Sequence, residues 1–97
     1  MVQRPGYGKR LGNVYRILID ARAAKQLAAI DATHRRRIVA KIDGLGTDPR
    51  PPGCKNLHSE QNLYRIRAGD YRVIYQLRTK ELMVLVVRIG HRSDVYR

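Results

Sequence analysis

The feature that most constrains the fold is the segment from residue 62 to residue 78, where two alternating stretches flank Gly69 and Asp70. Glycine is favoured at the first central position of a type II′ turn, so this dipeptide predicts a two-residue β-hairpin. The turn also fixes the register, because it places Arg67 opposite Arg72 and every further pair follows from that one. The sequence therefore predicts two antiparallel strands with defined cross-strand neighbours.

Alternation along this hairpin separates its side chains into two sets. One face carries arginines: Arg65, Arg67 and Arg72. The other carries aromatic and apolar residues: Tyr64, Ile66, Tyr71, Val73 and Tyr75. Like charges directly opposite each other on a sheet are destabilising. A hairpin that accepts them indicates a polyanion as the partner of its arginine face.

The overall charge supports an anionic partner. The 97 residues contain 20 Lys+Arg and 8 Asp+Glu, a formal net charge of +12, and 15 of the 20 cations are arginines. Guanidinium groups bind phosphate in a bidentate manner, so nucleic acid is the favoured class of partner. A membrane is disfavoured, because no apolar run approaches the roughly 20 residues that a spanning helix needs. Residues 1–13 also lack the apolar segment of a signal peptide, and a cytoplasmic location is expected.

The remaining pattern predicts one α+β domain at residues 14–97, preceded by a flexible basic arm at 1–13. Asp20 is a candidate N-cap for a first helix, and either Asp31 or Thr33 for a second. With almost no loop between them, the helices form a hairpin on one face of an antiparallel sheet. The predicted elements are a strand at 14–19, helices at 21–30 and to about 45, a proline-rich loop at 48–53, the two hairpin strands, and an apolar strand at 81–89.

The arginine face and the C-terminal tail together contain groups suited to RNA cleavage. Attack by a 2′-hydroxyl needs a base, an acid for the leaving oxygen, and cations that stabilise the added negative charge. Arginines can supply the cations but not the base, because a guanidinium keeps its proton in proteins. The tail offers His91, Arg92 and Tyr96. An imidazole accepts a proton near neutral pH, whereas a phenol does so only where cations favour the phenolate.

Other cations are candidates for RNA contact. Arg35, Arg36 and Arg37 stand at the start of the second helix, and Lys55 follows the proline-rich loop. The three arginines are equally well explained as a solvated helix face. His91 and Tyr96 also have simpler explanations, as a strand-end residue and a capping aromatic. From the residues alone, nucleic-acid binding is well supported and catalysis is one alternative.

No cofactor or metal is expected. The chain has no carboxylate pair of the kind that a two-metal nuclease uses, and His34, His58 and His91 are not spaced as metal ligands. Cys54 is the only cysteine, which excludes an internal disulfide.

The ordered set YRIR, GDYRVIY and GHRxDVY resembles the RelE/ParE superfamily of bacterial toxins, and its RelE branch in particular. The resemblance implies a toxin of a type II toxin–antitoxin system that cuts mRNA in the ribosomal A site and forms a hetero-oligomer with a cognate antitoxin. It implies that Arg65 and Arg67 match two basic residues that are lysines in the best-known RelE, and that Arg72 matches a phosphate-binding arginine.

The resemblance also extends to the tail. Arg92 matches an arginine implicated in transition-state or leaving-group stabilisation, and Tyr96 a tyrosine proposed as the general base. His91 stands where the best-known RelE carries lysine. ParE-type members share the fold but inhibit DNA gyrase and lack this set of basic residues and tyrosine. A ParE-like gyrase inhibitor and a non-catalytic nucleic-acid-binding module are therefore the two alternatives.

Overall fold

The computed structural model describes residues 14–57 and 62–93. The predicted arm at 1–13, His58 and the site candidate Tyr96 lie outside the described residues. The elements, in chain order, are β1 (Arg16–Ile19), α1 (Ala21–Ala28), α2 (Ala32–Gly44), β2 (Lys55–Asn56), β3 (Leu63–Ala68), β4 (Tyr71–Arg78) and β5 (Met83–His91). None of the helices within these two segments is long and apolar enough to cross a membrane.

The five strands form one sheet in the order β1-β5-β4-β3-β2. Strands β3, β4 and β5 form the predicted antiparallel meander. The expectation of a wholly antiparallel sheet is wrong in one respect, because β1 runs parallel to β5. Two helices separate β1 from the meander, so no tight turn imposes the antiparallel direction on it. The short strand β2, paired antiparallel with β3, is an addition to the prediction.

Both helices begin at aspartate caps. The Ala23 N–H donates to Oδ1 of Asp20 (2.9 Å), and the His34 N–H donates to Oδ2 of Asp31 (3.4 Å), which decides between Asp31 and Thr33. Helix α1 ends at Ala28, two residues earlier than predicted. The reason is that a capping residue needs extended backbone, and Asp31 (ψ 156°) adopts it to cap α2, as Asp20 (ψ 166°) does to cap α1.

The core lies between the helices and one face of the sheet. Its fully or nearly fully buried residues include Ala23, Ile38, Ile42, Leu45, Ile66, Val73, Tyr75, Leu77, Val84, Val86 and Ile89. Tyr75 stacks on Tyr64 and donates its hydroxyl proton to the Pro49 carbonyl (2.6 Å), which ties the proline-rich loop to the sheet. Burial raises the pKa of Tyr75 above its ordinary value. These contacts confirm the hairpin tyrosines Tyr64 and Tyr75 as part of the core.

The register of the hairpin is the predicted one, with Arg67 opposite Arg72. Gly69 has φ +64°, and Asp70 has no positive φ, as a type II′ turn requires. Strand β5 contains an irregularity that the sequence did not reveal. Val86 pairs with Tyr75 and Arg88 with Ile74, so Val87 is an extra residue in a β-bulge.

Gly69→Ala tests the turn. We expect a loss of roughly 1–2 kcal/mol in the free energy of unfolding, because an L side chain is strained at this φ. The loss has a purely conformational origin, since the nearest atom to the added Cβ is Arg37 Nη1 at 4.0 Å. The control is Gly44→Ala at the end of α2, where the Cβ meets nothing within 4 Å and up to about 1 kcal/mol is gained. Urea unfolding curves measure both, and equal effects of the two alanines would contradict the turn assignment.

Candidate functional site

The face of the sheet turned away from the helices carries most of the cations of the strands. We call it the open face. Ile74 and Met83 point to this side, since both are buried and neither belongs to the helix-side core. The cations that register places together on this face form the basic cluster: Lys55, Arg65, Arg67, Arg72 and Arg88. None of the strands β2 to β5 contains an Asp or a Glu. The cluster therefore has no neutralising acid on its own strands.

Register arranges the cluster in two rows across the strands. The first row runs through Lys55, Arg65, Ile74 and Arg88, one residue from each of β2 to β5. The second row contains Arg67, Arg72 and Gly90. Neighbouring strands lie about 4.8 Å apart, and residues i and i+2 about 6.8 Å apart. Several guanidinium groups can therefore reach one phosphate and its neighbour.

Burial differs among members of the cluster. Arg65 is 7 % exposed, Arg72 is half-buried, and Lys55 and Arg67 are exposed. The Arg72 Nε is buried and makes no hydrogen bond to any residue that the structure describes. Burying a cationic donor without a partner is unfavourable. An anion that reaches Arg72 would supply the missing hydrogen bond, and this makes the second row the centre of the site.

The structure does not bring His91 to the basic cluster. His91 is the register partner of Tyr71 and packs edge-on against its ring, with 5.7 Å between centroids. Tyr71 packs against the helix-side core, so His91 lies on the face opposite to Arg67 and Arg72. Its Nδ1 lies 3.0 Å from Ser93 Oγ and accepts from the Ser93 N–H (3.3 Å). These contacts hold the start of the tail.

A second histidine meets the same tyrosine from α2. The His34 ring lies 5.4 Å from that of Tyr71, and its Nδ1 hydrogen-bonds to Oδ1 of Asp31 (2.6 Å). This hydrogen bond holds the pKa of the Asp31 carboxyl below its usual value. Tyr71 thus connects the start of α2 to the end of β5.

Arg92 lies at the same end of the sheet as the second row. Its N–H donates to the Asp70 carbonyl (2.8 Å), which continues the β4–β5 ladder to the hairpin turn, and its side chain is exposed. Tyr96, the other candidate of the tail, lies outside the described residues. The structure thus places one of the three tail candidates near the end of the arginine face.

The three arginines at the start of α2 have different surroundings. Arg35 donates from Nη1 to the Ile30 carbonyl (2.6 Å) and so stabilises the short connection between α1 and α2. Arg36 and Arg37 are exposed. Arg37 lies near the hairpin turn, as its distance from Gly69 shows. Its position leaves Arg37 free to extend the cationic surface around the turn, whereas Arg35 has a structural contact.

A cavity of about 580 Å³ opens beside β3, between α2 and the proline-rich loop. Its cationic lining residues are Lys41, Lys55, Arg65 and Arg67. The cavity therefore continues the basic cluster around the edge of the sheet. Within residues 14–57 and 62–93, no three His, Cys, Asp or Glu side chains are grouped so that they could hold a metal ion.

Sequence reasoning missed Arg88. The apolar run around it predicted a strand covered on both faces, and regular alternation from the buried Val84 and Val86 assigns Arg88 to the core. The bulge at Val87 reverses the alternation, so Ile89 enters the core and Arg88 joins the open face. The only signal was the charge itself, in a strand otherwise free of charged residues.

Comparison with known proteins gives one family. Residues 17–96 match the model of the family described as ParE toxin of type II toxin-antitoxin system, parDE. The mRNA interferase toxin RelE of Escherichia coli is 30% identical over 86 residues, which cover 84% of this chain and 90% of that protein.

Solved structures share the fold. In the archaeal RelE–RelB complex from Pyrococcus horikoshii, one chain is 30% identical to this protein with a TM-score of 0.74, over 84% of this chain and 99% of that one. In the intact Escherichia coli RelBE toxin-antitoxin complex, one chain is 26% identical with a TM-score of 0.71, over 79% of this chain and 95% of that one.

Replacing Arg67 by glutamine tests whether the cluster is electrostatically frustrated. We expect Arg67→Gln to stabilise the fold by about 0.2–1 kcal/mol at low salt, because it removes the repulsion from Arg72 opposite. The gain should shrink in 1 M salt, where the Debye length falls to about 3 Å. The control is Arg78→Gln on the same face of β4, which faces Met83. Urea unfolding at both salt concentrations measures the effect, and a destabilised Arg67→Gln at low salt would contradict it.

Proposed function

The chain belongs to the ParE toxin family of type II toxin–antitoxin systems, within the RelE/ParE superfamily, and we propose that it is a ribosome-dependent endoribonuclease. It cleaves mRNA in the ribosomal A site by attack of a 2′-hydroxyl, and it inhibits translation in the cytoplasm. The observation that carries this proposal is the basic cluster on the open face, whose strands β2 to β5 contain no Asp or Glu and which is centred on the half-buried Arg72.

In this reaction the strands supply charge stabilisation. Arg65, Arg67 and Arg72 hold the scissile phosphate, and their guanidinium groups stabilise the charge that builds on its oxygens as the 2′-oxygen bonds to phosphorus. The 5′-oxygen leaves with the electron pair of the broken P–O bond and takes up a proton from solvent water. Arg92, at the end of the second row, stabilises that leaving oxygen. Because the strands hold the cations in register, little reorganisation is needed when the charge develops.

The proton acceptor must be a different kind of group, since guanidinium cannot deprotonate. The position of His91 against Tyr71, on the opposite face from Arg72, argues against His91 as the base. We therefore assign the base to Tyr96, whose phenolate the arginines would favour. His91 acts as a positioning residue, and it holds the start of the tail through Ser93.

Binding to the ribosome-held mRNA extends beyond the reacting phosphate. Lys55 stands at the outer end of the first row, and Arg36 and Arg37 are exposed near the turn. These side chains contact further phosphates. Arg35 contributes through the fold, because its guanidinium stabilises the connection between α1 and α2.

A cognate antitoxin is the proposed protein partner. Two of the similar solved structures are RelE–RelB and RelBE complexes, which supports a toxin–antitoxin hetero-oligomer here. The net charge of +12 on this chain favours an acidic segment in the partner. Such a segment neutralises the chain by covering the basic cluster.

The second candidate function is inhibition of DNA gyrase, and the match to the ParE family model favours it. Inhibition of gyrase would leave the basic cluster on the open face without a phosphate substrate. Because the cluster contains Arg65, Arg67 and Arg72, and Arg92 follows at the same end of the sheet, we rank the nuclease first. A plain basic RNA- or DNA-binding module would bind with steep salt dependence and yield no cleavage product.

The deciding experiment is induced expression with primer extension on a translated reporter mRNA. The nuclease predicts translation arrest and cuts at A-site codons that disappear when the start codon is removed. Arg72→Gln should lower the single-turnover rate on programmed ribosomes by about 10²- to 10³-fold, the cost of losing one oxyanion donor. Arg78→Gln is the matched control. Loss of gyrase supercoiling activity without mRNA cuts would establish the second candidate instead.

The assignment of the base is tested by pH–rate profiles of ribosome-bound cleavage. Tyr96→Phe should lower the rate by about 10²- to 10⁴-fold and flatten the pH dependence, because the proton acceptor is gone. His91→Ala should cause a smaller loss and keep the shape of the profile. A profile flattened by His91→Ala, with Tyr96→Phe unaffected, would reverse the two roles.

A further inference from the structure

Arg88 is a cation that neither the family comparison nor the sequence pattern assigns to a task. We propose that Arg88 is a further substrate-binding residue, which binds the phosphodiester next to the scissile one. This inference rests on the proposed function, and it adds a second phosphate subsite on β5 to the one formed by β3 and β4. The subsite takes the RNA backbone and is indifferent to the base.

The bulge at Val87 is the local feature that presents Arg88 to the substrate. Bulges re-aim side chains, and this one switches the alternation of β5 between Val86 and Ile89, both buried in the core. The result is that Arg88 shares the open face with its register partner Ile74.

The position of Arg88 suits a neighbouring phosphate. It ends the first row, two strands and therefore about 10 Å from Arg65. Its diagonal neighbour on β4 is Arg72, at about 7–8 Å between Cα atoms. Gly90, opposite Arg72, has no side chain, so the space between the two guanidinium groups is open on the β5 side. An RNA backbone held by Arg72 can therefore pass directly to Arg88.

A structural role explains Arg88 less well. A half-buried arginine on an interior strand needs a partner to offset its desolvation. Arg88 makes no salt bridge and no side-chain hydrogen bond with a described residue, and its register partner is the apolar Ile74. An apolar residue at position 88 would fit the sequence of β5 better, because MVLVV precedes this position and Ile89 follows it. The charge is explained by an anion that arrives with the substrate.

Three variants test the proposal: Arg88→Gln, Arg88→Lys and, as a control on the opposite side of the sheet, Arg22→Gln on α1. Cleavage of mRNA on programmed ribosomes gives kcat and KM at several salt concentrations. For Arg88→Gln we expect KM to rise about tenfold with kcat nearly unchanged, as for a lost charge-assisted contact. The slope of log(kcat/KM) against log salt should become shallower by about 0.7, the value for one single-strand phosphate. Arg88→Lys should keep the wild-type slope.

Each outcome decides the question. If Arg88→Gln behaves like Arg22→Gln while the wild type cleaves, the subsite is wrong and the nuclease stands. If Arg88→Lys loses as much as Arg88→Gln, charge is not the cause and the proposal falls, and thermal unfolding of both variants reports any loss of fold. If the wild type does not cleave, fluorescence anisotropy with a short single-stranded RNA measures the affinity that the subsite contributes, independently of cleavage. Unchanged affinity and salt slope for Arg88→Gln in that assay would overturn it.

Discussion

The direct pairing of Arg67 with Arg72 is the constraint on which the rest of the molecule depends. The turn at Gly69 imposes it, and the repulsion cannot be relieved by a register slip, because a slip of one residue would put the arginines into the core. The opposite face offsets the repulsion. There Ile66, Val73 and Tyr75 are buried in the core, and burial of side chains of this size contributes about 1.5–3 kcal/mol each. Burial on the core face thus keeps Arg67 and Arg72 side by side on the open face, where an anion can bind both.

The parts of the fold that sequence predicted are the ones that local chemistry decides. Gly69 specifies the hairpin because a type II′ turn needs positive φ at its first central position. Asp20 and Asp31 specify helix starts because the carboxylate of each accepts a hydrogen bond from the backbone N–H three residues later. The place of β1 depends on which edge of β5 remains open after the meander forms, and its direction depends on the path of the two intervening helices; no local pattern encodes either. The Gln26 side chain shows the same limit. Its Oε1 accepts the Ile89 N–H (2.8 Å), where β5 extends beyond β1, across 63 residues of sequence.

The candidate site divides in the same way. Arg65, Arg67 and Arg72 were predicted together because the turn fixes their register, and Lys55 joins them through β2. His91 was grouped with them by chemistry alone, and register decides otherwise, since the partner of Tyr71 must share the face of Tyr71. Arg88 was missed because its face of the sheet depends on a β-bulge. One extra residue, Val87, reverses the alternation, and a β-bulge has no signature in a run of valines.

The separation of the groups has a consequence for how such a site works. The cations sit on strands whose backbone is locked into a ladder, whereas the proposed proton acceptor Tyr96 follows the last strand by five residues. Phosphate binding is therefore preorganised, but the base is positioned only by whatever holds the tail. In the described residues, the Arg92 N–H bond to the Asp70 carbonyl and the contacts from His34 through Tyr71 to His91 and Ser93 hold the start of the tail. These contacts couple the start of α2 to the start of the tail. On the proposed function, a disturbance of Tyr71 would lower cleavage of RNA while phosphate binding persists, so affinity for RNA and cleavage of RNA need not change together.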